Sequence, residues 1–550
     1  MGDSGSLTRF FCSSTLFSPG LPVGIGTHVD GPGRSTRDGL HTVTRGTLLM
    51  LVGTLVYVAA TFAIRVVLVR TLSFSDWNAF AYAVALAGLL ASIGTLGLPQ
   101  AIARSLPFAP SDNERRTIVR SASRVLVGSA ACFTAGMALA GFFIGAFYQD
   151  PALAQTLEVF SVAVGCAIIG SLIISIFQGF EDVRPNVLYS LILNPLLFLG
   201  LVVVLFRAAP RPFLFPETLA AYVIANVLMI GGLALYARRR LPTRLPPGPA
   251  APGEARRLYL FAIPLFVVSV ASFVTGNADL LLLGVFHYSG VGSYSATLTL
   301  ARLLQIGTGS LAYIFLPVAA RFVREKDIEG VRMTYATATK WVALTSLPLF
   351  LLFFFFPSAA LGFVYGGRYT GTTVPLQILV TGSMLATLVG PAAAAQVSFG
   401  QTRLLVYNAV VSALVDVALA AALIPTYGAT GAAIAWATAN ALNPILSIVE
   451  IAFLEGVHPF RPHYVVPVLL TGVPLAALFV LVPLAVSGLW LPVLGLGIAG
   501  AFIAIVILTG SVDHGDGLAL EVVERTLGRR LTLVRRIGGW RARAEPEPPR

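Results

Sequence analysis

Long apolar runs recur along the chain and are separated by short stretches of Gly, Pro, Arg and Asp. A hydrocarbon core about 30 Å thick is crossed by roughly 20 residues of helix. Runs of that length fall at 47–69, 78–101, 122–147, 153–177, 186–206 and 215–236, and then at 258–283, 292–316, 336–360, 372–397, 403–424, 428–454, 464–486 and 488–510. The pattern predicts fourteen transmembrane helices. Within it, "LIPTYGATGAAIAWATAN" (423–440) stops at a Pro and restarts after a glycine-rich turn with five alanines. It reads as a tight turn between spans eleven and twelve, followed by a helix that neighbours approach closely.

The polar connections carry an orientation signal. "RSLPFAPSDNERR" (104–116), residues 238–257 and "RFVREKDIEGVR" (321–332) follow even-numbered spans and hold a basic excess. Connections after odd spans are nearly free of Lys and Arg, apart from Arg207, Arg211 and Arg368. The positive-inside bias places the even connections and both termini in the cytoplasm. The basic tail around Arg525, Arg529, Arg530, Arg535 and Arg536 agrees.

Composition rules out a soluble chain. Charged residues are 11% of 550, hydrophobic residues 56% and the mean hydropathy is +0.83, whereas a globular domain is about 25% charged. The net charge of +12 belongs to the loops and does not indicate nucleic acid. Cys12, Cys132 and Cys166 have no metal or disulfide spacing, and His287, His458 and His463 have no ligand spacing either.

The halves of the chain echo each other. "LLASIGTLGLP" (89–99) answers "LLQIGTGSLAYIFLP" (303–317). "FQGFEDVRPNVLYSLILNPLLFLG" (177–200) answers "SFGQTRLLVYNAVVSALVDVALAA" (398–421), which puts Asn194 near the register of Asp416. Matching elements six spans apart imply parallel repeats about an axis along the membrane normal, a common transporter plan. The predicted fold is an all-α polytopic membrane protein: a disordered cytoplasmic tail (1–45), a six-helix bundle (46–237), a cytoplasmic linker (238–257), a second six-helix bundle (258–454), two additional helices (464–510) and a cytoplasmic tail (511–550).

These elements resemble the polysaccharide and oligosaccharide lipid flippases of the multidrug/oligosaccharidyl-lipid/polysaccharide exporter superfamily. The resemblance lies in the turn and helix at 423–440, in "GNADLLLLGVFHYSGVGSYSATLTLARLL" (276–304) and in "RTLSFSDWNAFAYAVALAGLLASIGTLGLPQAIAR" (70–104). One departure is Trp77-Asn78 after Asp76, where the family has an aromatic-glycine pair. The resemblance implies a V-shaped pair of bundles that carries a polyprenyl-phosphate- or pyrophosphate-linked sugar chain from the inner to the outer leaflet of the cell membrane. It also implies coupling to glycosyltransferases and a polymerase or ligase, and a monomer.

A charge at the bilayer centre costs about 2.5–3.5 kcal/mol or more, so the intramembrane charges are the candidate chemistry. Arg302, near the middle of span eight, either lines a central cavity and contacts an anionic head group or is a partner for Asp279 or Asp416. Its guanidinium fork suits phosphate oxygens. On a continuous helix it shares a face with Leu298, Gln305 and Gly309. Arg65 is a cavity candidate, and Arg70 and Arg104 are interfacial anchors or head-group capture sites. Asn194, Asn277, Asn408, Asn440 and Gln305 are sugar-binding groups or interhelical ties. Asp279 and Asp416 either couple transport to Na⁺, H⁺ or the membrane potential, or form salt bridges. No catalytic cluster, P-loop or metal motif occurs, which argues against an enzyme. A peptidoglycan lipid II flippase and a multidrug or organic-cation exporter remain open alongside the polysaccharide reading.

Overall fold

The computed structural model describes residues 36–109, 111–148, 151–208, 214–244, 254–481 and 490–508. Among them every regular element is helical and none is a strand. Two compact units divide the chain, 1–45 and 46–550. Residues 36–45 are helical where a disordered tail is expected, because a helix can outrun its apolar segment. The remainder of that tail, the middle of the expected linker and the expected C-terminal tail lie outside the described residues.

The first six spans occupy α1 (Thr36–Thr71), α2 (Phe74–Gly94) with the short α3 (Leu98–Ser105), α4 (Asp112–Tyr148), α5 (Pro151–Gly179), α6 (Asn194–Ala208) and α7 (Leu214–Arg244). A π-helical stretch, Asn186–Leu193, leads into α6. The second set begins with α8 (Glu254–Phe286), α9 (Val291–Leu303), α10 (Ile306–Arg324), α11 (Ile328–Phe355) and the short α12 (Pro357–Tyr365). It continues with α13 (Thr373–Leu388), α14 (Ala392–Ser398), α15 (Thr402–Tyr427) and α16 (Ala429–Glu455), and α17 (Pro462–Leu481) and α18 (Leu491–Leu508) follow. By length and apolar character eleven helices among the described residues can cross a membrane, or twelve when the bent α10 counts as one. Helices α17 and α18 carry shorter apolar stretches, so the expected fourteen is not reached on that criterion. The chain is a multi-pass membrane protein.

Each bundle is built on its own contacts. In the first, α5 packs on α2, α4 and α7; in the second, α16 packs on α13, α15 and α8. The last two helices lean on α11 and sit outside the repeat. The turn at Gly428 is as tight as its sequence suggests. Helix α15 runs past Pro425 to Tyr427, Gly428 alone takes the turn at φ 55°, and α16 starts at Ala429. The alanine-rich face of α16 is buried at Ala432, Ala433, Ala435, Ala437 and Ala439. It lies so close to α13 that a methyl on Gly382 would sit 2.5 Å from the Ala437 Cα. Overpacking of this kind costs about 1–3 kcal/mol. Gly382→Ala should therefore lower the melting temperature of the purified protein in detergent. Gly200→Ala, which meets open space on α6, should leave it unchanged or raise it.

The eighth span is broken where a continuous helix is expected. Helix α9 ends at Leu303 and α10 begins at Ile306, with Leu304 and Gln305 in a tighter turn between them. The buried Ser346 hydroxyl on α11 donates to the Leu304 carbonyl at 2.7 Å, satisfying an acceptor released by the break. Further on, α10 bends by 41° between Ile306–Ala312 and Phe315–Arg324, close to Pro317. Proline removes a backbone hydrogen bond, which is a usual cause of such a bend.

Candidate functional site

A cavity of about 540 Å³ opens between the bundles, walled by α1 and α2 on one side and by α8 and α9 on the other. On α1 the lining positions Tyr57, Thr61, Arg65 and Leu68 recur at three or four residues, one stripe of a helix. On α9 the same spacing brings in Ser295, Leu298, Thr299 and Arg302. Arg65 reaches across the gap, its Nη1 donating to Thr299 Oγ1 at 2.5 Å. Arg302 donates from Nη2 to the Gly276 carbonyl. The charge of Arg302 is felt at Arg65, and that of Asp279 at Arg302. No lining residue among those described is Asp or Glu. Two guanidinium groups with spare donors, and no carboxylate among the described lining residues, are the groups that an anionic oxygen ligand pairs with.

Asn277 also lines this cavity, its Nδ2 donating to the Phe273 carbonyl at 3.2 Å, whereas several other expected site residues lie elsewhere. The break in span eight parts Arg302 from Gln305, so the expected continuous face does not exist; Gln305 and Gly309 line a separate pocket. Asn194 hydrogen-bonds Asn226 Oδ1 at 3.4 Å inside the first bundle. Arg104 lies over the Phe261 ring, 4.7 Å from its centroid. Arg70 gives Nε to the Val364 carbonyl at 2.7 Å and Nη2 to the Phe363 carbonyl. Those carbonyls close the C-terminal turn of α12, where the helix dipole favours a cation. Asn194, Arg104 and Arg70 therefore do not join the cavity wall; each is committed to a protein partner.

Asp279 on α8 and Asp416 on α15 are both fully buried. The Tyr294 hydroxyl donates to Asp279 Oδ2, while Asp279 Oδ1 and both oxygens of Asp416 have no hydrogen-bond partner. The two carboxylates are close enough to interact electrostatically. None of the described ion pairs joins Arg302 to either of them. Among the described residues no group of three or more His, Cys, Asp or Glu side chains could hold a metal.

The departure at Trp77-Asn78 has a structural meaning that the sequence did not disclose. Asn78 Oδ1 accepts from the Gly292 amide at 2.5 Å and its Nδ2 donates to the Ser289 carbonyl at 3.1 Å. Trp77 Nε1 donates to the Gly292 carbonyl at 2.8 Å. The equivalent junctions of the two repeats are thus locked together at one end of the cavity. Arg368 adds a bond from Nη2 to the Arg70 carbonyl at 3.1 Å. At the other end Gln100 Nε2 meets Ser269 Oγ at 3.0 Å. Gly97, at φ 67°, comes so near α8 that a Cβ would lie 2.4 Å from the Ala262 carbonyl oxygen. The bundles touch at both ends, and the open V implied by the resemblance is closed down to the cavity.

Residues 43–323, more than half of the chain, match the sequence profile of the polysaccharide biosynthesis proteins. The chain belongs to that family. Among curated proteins it resembles the probable low-salt glycan biosynthesis flippase Agl15 of Haloferax volcanii, with 22% identity over 194 residues. That match covers 35% of this chain and 41% of the relative. Among solved structures, the lipid II flippase MurJ in an inward closed conformation superposes with a TM-score of 0.65 at 11% identity, covering 84% of this family member and 98% of that chain. An inward-facing multidrug resistance MATE family transporter gives 0.58 at 15% identity, covering 76% and 99%. At these identities the likeness is one of fold. It agrees with two helical bundles around a central cavity.

Proposed function

We propose that this polysaccharide biosynthesis protein moves a lipid-linked oligosaccharide or polysaccharide repeat unit from the cytoplasmic to the outer leaflet of the cell membrane by alternating access. The observation that carries the reading is the pairing of Arg65 and Arg302 in one inter-bundle cavity whose wall has no carboxylate. A phosphate or pyrophosphate on a polyprenyl carrier offers the planar, bidentate acceptors that guanidinium groups bind best. The similarity to a probable glycan biosynthesis flippase supports the glycan part of the proposal. A lipid II carrier shares the pyrophosphate and is the second reading, supported by the fold shared with a lipid II flippase. An organic cation would be repelled by both arginines. Glycosyltransferases supply such a substrate and a polymerase or ligase consumes it, and the protein acts as a monomer.

Purified protein in liposomes should translocate a fluorescent polyprenyl-pyrophosphate oligosaccharide and should not accumulate an organic cation. Cation uptake without lipid movement would replace the flippase reading with the exporter one. In the same reading the junction at Ser289 faces outward and both termini face the cytoplasm. Cysteines at Ser289 and Gly248, in a background lacking Cys12, Cys132 and Cys166, should react with an impermeant thiol reagent from outside and inside respectively. Reversed labelling would invert the topology.

The buried pair Asp279 and Asp416 is the proposed point of coupling to Na⁺, H⁺ or the membrane potential. Three carboxylate oxygens without a hydrogen-bond partner leave the pair needing a proton or cation, because an uncompensated buried charge is costly.

A further inference from the structure

Spans nine and ten are joined by more chain than a turn requires. Helix α12 (Pro357–Tyr365) and the 3-10 turn after it (Gly367–Thr372) bridge from α9 to the end of α1. On the first bundle, Arg70 donates Nε to the Val364 carbonyl at 2.7 Å and Nη2 to the Phe363 carbonyl. Arg368 returns a bond from Nη2 to the Arg70 carbonyl at 3.1 Å. On the second, the Thr372 and Thr297 hydroxyl oxygens are 2.9 Å apart. Underneath, the Tyr369 ring lies 6.0 Å from that of Phe74 on α2, and Tyr365 and Tyr369 are both buried.

These tethers sit over one end of the arginine cavity. Arg70 stands two residues beyond Leu68, a lining position on α1, and Thr297 lies between the lining positions Ser295 and Thr299 of α9. Arg65 is five residues inside Arg70, about 7.5 Å along the helix, and its charge is felt at Tyr365.

The fastenings and the ends of this segment suit a part that moves. Arg70 and Arg368 bond neutral carbonyls and both are exposed, so water competes for the same donors. The neighbouring lock is of another kind, since Trp77 and Asn78 are buried. Gly366 ends α12 at φ 89°, and a methyl on Gly366, Gly367 or Gly371 would meet no atom within 4 Å. Glycines with open space around them, at the end of an element, let the backbone change φ and ψ without a clash. At the other end Phe356 and Pro357 divide α12 from α11.

We propose that α12 and the turn after it form a strap over the outward end of the arginine cavity, latched to the first bundle by Arg70 and hinged at Gly366–Gly371. With the latch made, the cavity is shut on that side. With Arg70 released, the strap swings off α1 and uncovers Thr297 and the cavity beneath. The strap stands on these contacts alone; that it lets a lipid head group out to the outer leaflet rests on the flippase reading.

Detergent-solubilised protein lacking Cys12, Cys132 and Cys166 and carrying Thr297→Cys tests the latch without any transported lipid. Thr297 is fully buried, so a hydrophilic maleimide should label the cysteine slowly. Adding Arg70→Ala should speed the labelling about tenfold, the scale of one lost hydrogen bond to a charged group, and Arg70→Lys should fall between. A cysteine at the equally buried Ser383 on α13 should stay unlabelled in every variant. In liposomes, cysteines at Arg70 and Val364 joined by a short cleavable thiol cross-linker should stop translocation of a lipid-linked oligosaccharide, and cleavage should restore it. Equal labelling of Thr297→Cys with and without Arg70→Ala overturns the strap. So does labelling of both cysteines together, which marks loosening of the whole protein, or translocation undiminished by the link. If labelling responds to Arg70→Ala while the unlinked protein moves no lipid, the strap stands and the flippase reading fails by itself.

Discussion

Arg302→Ala should reduce translocation of a lipid-linked oligosaccharide by about a hundredfold or more, the scale of losing one charged donor from an anion site, with the yield of folded protein unchanged. The two parts of this expectation come from the same geometry. Arg302 lines the inter-bundle cavity and spends one donor on the Gly276 carbonyl. None of the described ion pairs joins it to Asp279 or Asp416, so no direct contact with a carboxylate is broken by its removal, although its charge is felt at Asp279. The bond to Gly276 is lost, but so is the cost of a guanidinium at mid-membrane depth. Arg302→Lys should recover part of the rate, because an ammonium keeps the charge and loses the planar fork. Arg65→Ala should act in the same direction, with an added loss of the bridge to Thr299 that spans the two bundles. Normal transport by Arg302→Ala would remove the anion site as the basis of the function.

Asp416→Asn should abolish any dependence of transport on an imposed Na⁺ or proton gradient while raising thermal stability. Both Asp416 carboxylate oxygens are buried without a hydrogen-bond partner, beside the charge of Asp279. An amide is left as unpaired as the acid but cannot ionise, so the change removes the repulsion and burial cost of a second carboxylate charge beside Asp279. Asp279→Asn should also uncouple, with a smaller gain in stability, since Asp279 already accepts from Tyr294. Tyr294→Phe separates the two effects: it deletes that bond and keeps both carboxylates. The measurement is the initial flipping rate in proteoliposomes under each gradient. A wild-type rate indifferent to Na⁺, proton and voltage gradients would leave the pair without a coupling role and the protein a passive scramblase.

Depth in the membrane was legible in the sequence, and rotation about each helix axis was only partly so. Apolar run lengths located the spans, and the alanines of 432–439 announced a helix that neighbours approach closely. Arg302 announced itself by its distance from either end of its span. The break beside it did not, because Leu304 and Gln305 are ordinary helix formers and the turn is held by Ser346 from another span. Position along the span separated Arg70 and Arg104, as interfacial anchors or head-group capture sites, from the cavity candidate Arg65. Their partners, carbonyls of α12 and the Phe261 ring, are distant in sequence and become visible only once the bundles are assembled. Asn78 left a trace as an unexpected residue in a familiar junction, yet its bonds to Ser289 and Gly292 cross between repeats. The Asp279 and Asp416 pair likewise depends on α8 packing against α15.

The central claim is that the arginine cavity holds the anionic head of a glycan-bearing lipid. Site-directed photo-crosslinking tests it most directly, with a photoreactive residue at Thr61 on the cavity wall and a control at Leu385 in an apolar groove on the second bundle. The expected result is a covalent adduct between Thr61 and a polyprenyl-pyrophosphate oligosaccharide that is lost when Arg65 and Arg302 are both replaced by Ala. It should be competed by excess unlabelled lipid and by no organic cation. An adduct at Thr61 that survives the double replacement, or one formed at Leu385 alone, would contradict it.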